Sequence, residues 1–186
     1  MNDDFSKWWA VPAIVIPALA PAALPVPAYA AQYLTLEQAQ QALFPGPSRF
    51  VAQPLRLTPE QARAVEKYAR VRMRATEQPV WRVETGGRHA GWFVLDEVFG
   101  KHEFITYAVA LDAGGAVKGL EILDYRETHG GEVRQPAWRA QFTGKRYGAG
   151  LRLGEEITNI SGATLSCKHI SEGVRRVLAL HQAALK

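Results

Sequence analysis

The residues with the clearest chemical potential are Ser161-Gly162-Ala163-Thr164, set between an extended segment at 156–160 and the start of the last helix. A turn of this kind gathers free backbone N–H groups and the positive end of the helix dipole around the Thr164 hydroxyl. That is a natural seat for a phosphate group. Gly162 admits backbone angles that other residues resist, and Ala163 leaves room for a bulky group against the backbone. The same four residues also fit a simpler role, in which Ser161 or Thr164 only caps the helix. Cys167 lies in the first turn, where the dipole favours a thiolate, yet the residue type fits a small buried hydrophobe better. The five histidines (His89, His102, His129, His169 and His181) show no metal-ligand spacing. Arg70-Val71-Arg72-Met73-Arg74 predicts three arginines on one solvated strand face.

The elements that must position this turn fit within 186 residues, of which 47% are hydrophobic and 22% charged. Disordered, collagenous and coiled-coil classes are excluded at these values. A net charge of +4 is too small for a dedicated nucleic-acid binder. The single cysteine excludes an internal disulfide and any site built on several thiolates. Residues 8–30 carry no charge and hold five of the eleven prolines. The run ends in Ala28-Tyr29-Ala30, a small-x-small site of the kind signal peptidase cuts, so residues 1–30 are expected to be an export signal. Its removal leaves 21 Lys+Arg against 16 Asp+Glu, a net charge of +5.

Thr35-Leu36-Glu37-Gln38 and Thr58-Pro59-Glu60-Gln61 both have the form of capping boxes, the second with proline at the first helical position. They predict two short helices within a segment 31–70. Alternation from Val71 to Thr85 predicts strands. The runs Phe104–Leu111 and Val117–Tyr125 around Asp112-Ala113-Gly114-Gly115 predict a hairpin. A short helix is expected at 136–142. A long amphipathic helix is expected at 165–185, with Ile170, Val174, Val177, Leu178 and Leu185 inward and Lys168, Glu172, Arg175 and Arg176 in water. The fold class is therefore α+β, a twisted and mostly antiparallel sheet with packed helices, over residues 71–186.

Further motifs precede the turn in a fixed order. A strand leads into Glu127-Thr128-His129-Gly130-Gly131, a short helix carries Trp138 with Gln141-Phe142, and Gly144-Lys145 follows. From about Ile105 to Leu180 the chain resembles the FMN-binding domain family of the Rnf electron-transport and sodium-pumping NADH:quinone oxidoreductase complexes and their exported relatives. The family usually has an acidic residue three positions before the final motif. This chain has Thr158 there, with Glu155 and Glu156 close by. The resemblance implies FMN held as a phosphoester on Thr164, attached by a flavin transferase that draws on FAD. It places Ser161, Gly162, Ala163 and Leu165 around the attachment point, Glu127 and Thr128 as polar partners of the flavin ring or ribityl chain, and Lys145 (with Arg146) near the phosphate. His129 is the histidine expected to approach the flavin, and Trp138 is expected in the core, bordering it at most. No catalytic or metal-ligating residue is implied.

The function implied is an electron relay outside the cytoplasm, in the periplasm or associated with the membrane, that serves a membrane-bound donor or acceptor. A flavin-dependent reductase of an extracytoplasmic substrate, or a non-redox binding or sensory module on the same fold, are the alternatives.

Overall fold

The computed structural model describes residues 33–73 and 77–186. The expected export signal lies outside these residues. In chain order the elements are α1 (Leu36–Leu43), β1 (Ser48–Ala52), β2 (Leu55–Arg56), α2 (Pro59–Ala69), β3 (Glu77–Gln78), β4 (Val80–Thr85), β5 (Arg88–Phe99), β6 (Phe104–Asp112), β7 (Val117–Tyr125), α3 (Pro136–Ala140) and α4 (Thr164–Leu180). A 3₁₀ turn at Gly131–Arg134 precedes α3, and a π turn at His181–Leu185 extends α4. Both capping boxes form as their sequences require, with Thr35 and Thr58 each bonded to the amide three residues on.

Strands β4 to β7 run as an antiparallel meander, and β1 pairs with β4, giving the order β1-β4-β5-β6-β7. The β6–β7 turn is tied by Asp112, whose Oδ1 accepts from the N–H groups of Gly114 and Ala116 at 2.9 Å each. The two faces of β6 do different work. Ile105, Tyr107, Val109 and Leu111 join the core formed with Cys167, Ile170, Val174 and Val177 of α4. Ala108 and Ala110 lie in a second core with Ala39, Leu43 and Phe44 of α1 and its end. Small residues on this second face let α1 approach, and a Cβ on Gly119 of β7 would sit 2.7 Å from Leu43 Cδ2. Both faces of the central strands are covered, which is why β6 is almost continuously apolar.

Three expectations change. The alternation from Val71 does not continue as a strand: β3 begins only at Glu77, and 74–76 lie outside the described residues. Arg70 is instead the left-handed C-cap of α2 (φ 60°, ψ 25°), so the predicted arginine face is absent at Arg70 and Arg72. Arg176, expected in water, is buried at 1% exposure. Helical spacing alone places it on the solvated side, but a carboxylate waits for it beneath the helix. Its guanidinium donates to Asp96 Oδ2 through Nε (3.1 Å) and a terminal nitrogen (2.7 Å). Tyr107 Oη donates to the same oxygen at 2.6 Å. Further donors of Arg176 reach the carbonyls of Glu97 (2.9 Å) and Arg72 (3.1 Å). Burial, then the negative charge of Asp96, push the Tyr107 hydroxyl well above the usual tyrosine range, so it stays a donor.

Gly173 sits in the middle of α4 above this network. Ordinary helix propensity favours alanine there by about 1 kcal/mol. A Cβ on Gly173, however, would run into the Tyr107 hydroxyl oxygen. We expect Gly173→Ala to lower stability by about 1–3 kcal/mol, the cost of overpacking, in urea or thermal unfolding. A gain in stability would contradict the packing described.

Candidate functional site

The turn at 161–164 stands at one end of the sheet. Helix α4 begins at Thr164, and its N-cap position is Ala163, which has no side chain able to cap. Neither Ser161 nor Thr164 therefore serves as the cap, and the amides of the first turn are left for another partner. Gly162 takes φ +79° with open space around the position, the nearest atom being His129 Cβ at 3.9 Å. Thr164 is exposed, and its hydroxyl oxygen accepts from Asn159 Nδ2 at 3.1 Å. Leu165 is 42% exposed beside it. Ser166 is turned inward, 3.2 Å from the Tyr125 hydroxyl.

The loop after β7 forms the opposite wall. Tyr125 Oη donates to the His129 carbonyl at 2.5 Å and fixes the loop against α4. Gly130 takes φ +87°, and a Cβ there would meet Ala163 Cβ. A left-handed glycine and a small neighbour together allow this contact. Between the walls is a cleft of about 250 Å³ lined by Lys101, His102, Glu127, Thr128 and His129 on one side and by Gly162, Ala163, Leu165 and Ser166, the neighbours of Thr164, on the other. It adjoins a second, open cleft of about 610 Å³ along Thr128–Pro136.

Glu127 has a structural task in this wall. Its Oε1 accepts the backbone N–H groups of Lys101, His102 (2.6 Å) and Glu103 (3.0 Å), which locks the β5–β6 turn. Partial burial works to raise its pKa, but the three amide donors outweigh it, so the carboxyl is held below the usual range.

Of the residues expected at the site, Ser161, Gly162, Ala163, Thr164, Leu165, Glu127, Thr128 and His129 are brought together at one end. Lys145 is not. Its carbonyl accepts from the Val117 amide at 2.8 Å, at the start of β7, and its ammonium faces Glu156 at 3.5 Å. Arg146 likewise reaches the Gly114 carbonyl in the β6–β7 turn. That turn and the 101–103 turn lie at opposite ends of the nine-residue β6, roughly 30 Å apart. The cationic and polar groups near Thr164 are instead Lys101 and His102, which only the strand pairing brings there, and Asn159. Trp138 is buried and donates to the Thr158 carbonyl at 2.8 Å, while the Thr158 amide donates to Gln141 Oε1 at the same distance. The segment leading into the turn is thus held by backbone bonds at position 158. Cys167 is fully buried, and burial pushes its thiol up. It is the small hydrophobe expected.

Residues 100–179 match the model of the FMN-binding domain family. The chain is 31% identical over 136 residues to the NqrC component of the Na(+)-translocating NADH-quinone reductase of Vibrio anguillarum, a match that covers 64% of this chain and 51% of that protein. The chain thus spans about half the length of this curated relative. The fold is similar to the crystal structure of Shewanella oneidensis NqrC, with a TM-score of 0.51 and 19% identity, over 70% of this chain and 66% of that one.

The cofactor of this domain family is FMN, and the residues present fit it. A phosphate finds first-turn amides that no side chain caps, and an apolar ring finds Leu165 and Ala163 at the mouth of the cleft. The one acidic residue lining that cleft has an oxygen already committed to three amides. A carboxyl with a depressed pKa stabilises the fold above its ordinary range and loses that contribution as the pH falls through its folded value. We expect the amides of Lys101, His102 and Glu103 to be protected from hydrogen exchange at neutral pH. The protection, corrected for intrinsic rate, should fall on acidification and be lost at all pH values in Glu127→Ala. Unchanged protection in that variant would remove Glu127 as the clamp.

Proposed function

We propose that the chain is an exported flavoprotein whose FMN, linked as a phosphoester to Thr164, relays electrons to or from a membrane-bound partner. The observation that carries the reading is the exposed Thr164 hydroxyl at an uncapped helix N-terminus, beside a left-handed glycine and an open cleft. FMN supplies reversible electron transfer at its ring system. The chain's own residues bind and orient. The first-turn amides and dipole of α4 hold the phosphate charge that remains after esterification. Asn159 donates to the Thr164 oxygen and would orient it towards the phosphate. Lys101, His102 and His129 surround the cleft with donors, while Thr128 and Glu127 border it. No acid–base pair within the cleft points to a substrate of its own, which favours a relay over a reductase. A membrane partner is supported by the curated relative, which is one component of a sodium-translocating NADH-quinone reductase. Attachment outside the cytoplasm keeps the cofactor from being lost by diffusion.

Two measurements test the reading. Thr164→Ala should lose covalent flavin, read as in-gel fluorescence after denaturation of protein made together with a flavin transferase. Because Thr164 is exposed and is not the cap, stability should change by no more than about 0.5 kcal/mol. Ser166 is buried against Tyr125 and should not rescue attachment. A fluorescent Thr164→Ala band, or a wild type that never fluoresces, would remove the linkage. Export is read separately: the mature N-terminus should be Ala31, and native protein that still begins at Met1 would contradict it.

A further inference from the structure

A further open cleft lies away from Thr164. It spans about 630 Å³ between the end of α2, the loop 147–152 and the outer side of α4. Lys67, Arg70, Arg152 and Arg175 line it together with Tyr68 and Tyr147, and no acidic residue does. Neither Lys67 nor Arg70 forms an ion pair among the described residues. Arg152 is partly neutralised by Glu155 at 2.8 Å and Glu156 at 4.0 Å, both off the lining. Arg175 donates to the Gly150 carbonyl at 3.0 Å and lies 3.8 Å from Glu172. Its Nε is buried with no acceptor.

Two features set the backbone from which these cations project. Arg70 occupies the left-handed cap of α2, a conformation that strains a residue with a side chain and suits glycine. The chain accepts that strain at a position where glycine would bring no charge to the cleft. Tyr68 and Tyr147 stack with ring centroids 4.1 Å apart, and the Gly148 amide donates to Tyr68 Oη at 2.5 Å. These contacts tie the loop to α2, so the backbone positions that carry the charges are set before any ligand arrives. Arginine forks suit the oxygens of a phosphate, and lysine adds a point charge.

We propose that this cleft binds a phosphate-bearing anion, independently of the FMN site. Arg175 lies eleven residues beyond Thr164 on α4, roughly 16 Å along its axis. The phosphate has two possible carriers, a soluble phosphate compound or a phospholipid head group.

The test uses the full chain with two probes. Inorganic pyrophosphate is titrated calorimetrically, and vesicles of phosphatidylcholine, alone or mixed equally with phosphatidylglycerol, are used in co-sedimentation. Arg70→Gly, Lys67→Gln and Arg175→Gln should each weaken binding roughly ten-fold. Arg70→Gly should do so while raising the thermal midpoint, because glycine relieves the backbone strain, so its loss of binding cannot come from misfolding. Lys168→Gln, an equal charge loss at an exposed position off the cleft, should leave binding unchanged. Loss of pyrophosphate binding assigns the soluble carrier, and loss confined to the phosphatidylglycerol vesicles assigns the head group; either result upholds the proposal. It is overturned if wild type binds neither probe, if Arg70→Gly and Lys67→Gln bind as wild type, or if Lys168→Gln weakens binding equally.

Discussion

The buried pair of Asp96 and Arg176, with Tyr107 as its third member, fixes where everything else in the molecule falls. One oxygen of Asp96 accepts from both side chains, and Arg176 also closes onto the carbonyls of Glu97 and Arg72. Strands β5 and β6, helix α4 and the segment after α2 are thereby joined through one guanidinium. A buried charge with a missing partner destabilises by about 3–5 kcal/mol, so α4 has one acceptable position across the sheet. Gly173 clears the space that this position needs. An apolar pair of equal volume would leave the helix freer to slide, since hydrophobic contact is non-directional.

Once α4 is pinned, its N-terminus must lie beside the β5–β6 turn and the loop after β7. The cleft around Thr164 is then assembled from three separate stretches, each with its own lock. Glu127 holds the β5–β6 turn, Gly130 packs on Ala163, and Thr158 is held by Trp138 and Gln141. Rigid support of this kind is what a cofactor site needs if the cofactor is to keep a fixed distance from a redox partner. The basic cleft near Arg175 uses the same helix farther along, so one element frames two sites of different chemistry.

Much of this is legible locally. The capping boxes, the Asp112–Gly115 hairpin and the burial of Cys167 all follow from signals within a few residues of one another, whereas the grouping of Glu127 and Thr128 with 161–165 is implied by the family resemblance. What escapes the sequence depends on contacts between distant residues. Arg176 pairs with Asp96 eighty positions away, and from helical spacing it groups with Lys168, Glu172 and Arg175 as a solvated face. Order in the chain suggests Lys145 at the phosphate, whereas the Val117 ladder carries it to the far end of the sheet. Lys101 and His102 carry no motif, and only the β5–β6 pairing brings them to the cleft. At Arg70 a five-residue alternation suggests a strand, and it hides the stop that a left-handed cap imposes on α2.

The central claim is that FMN is seated where α4 begins. Hydrogen exchange of the full chain, loaded with FMN in the presence of flavin transferase and compared with flavin-free protein, tests it most directly. The account predicts new protection at residues 101–103, 127–130 and 162–166. Protection gained instead at 67–70 and 147–152, with the N-terminus of α4 unchanged, would contradict it.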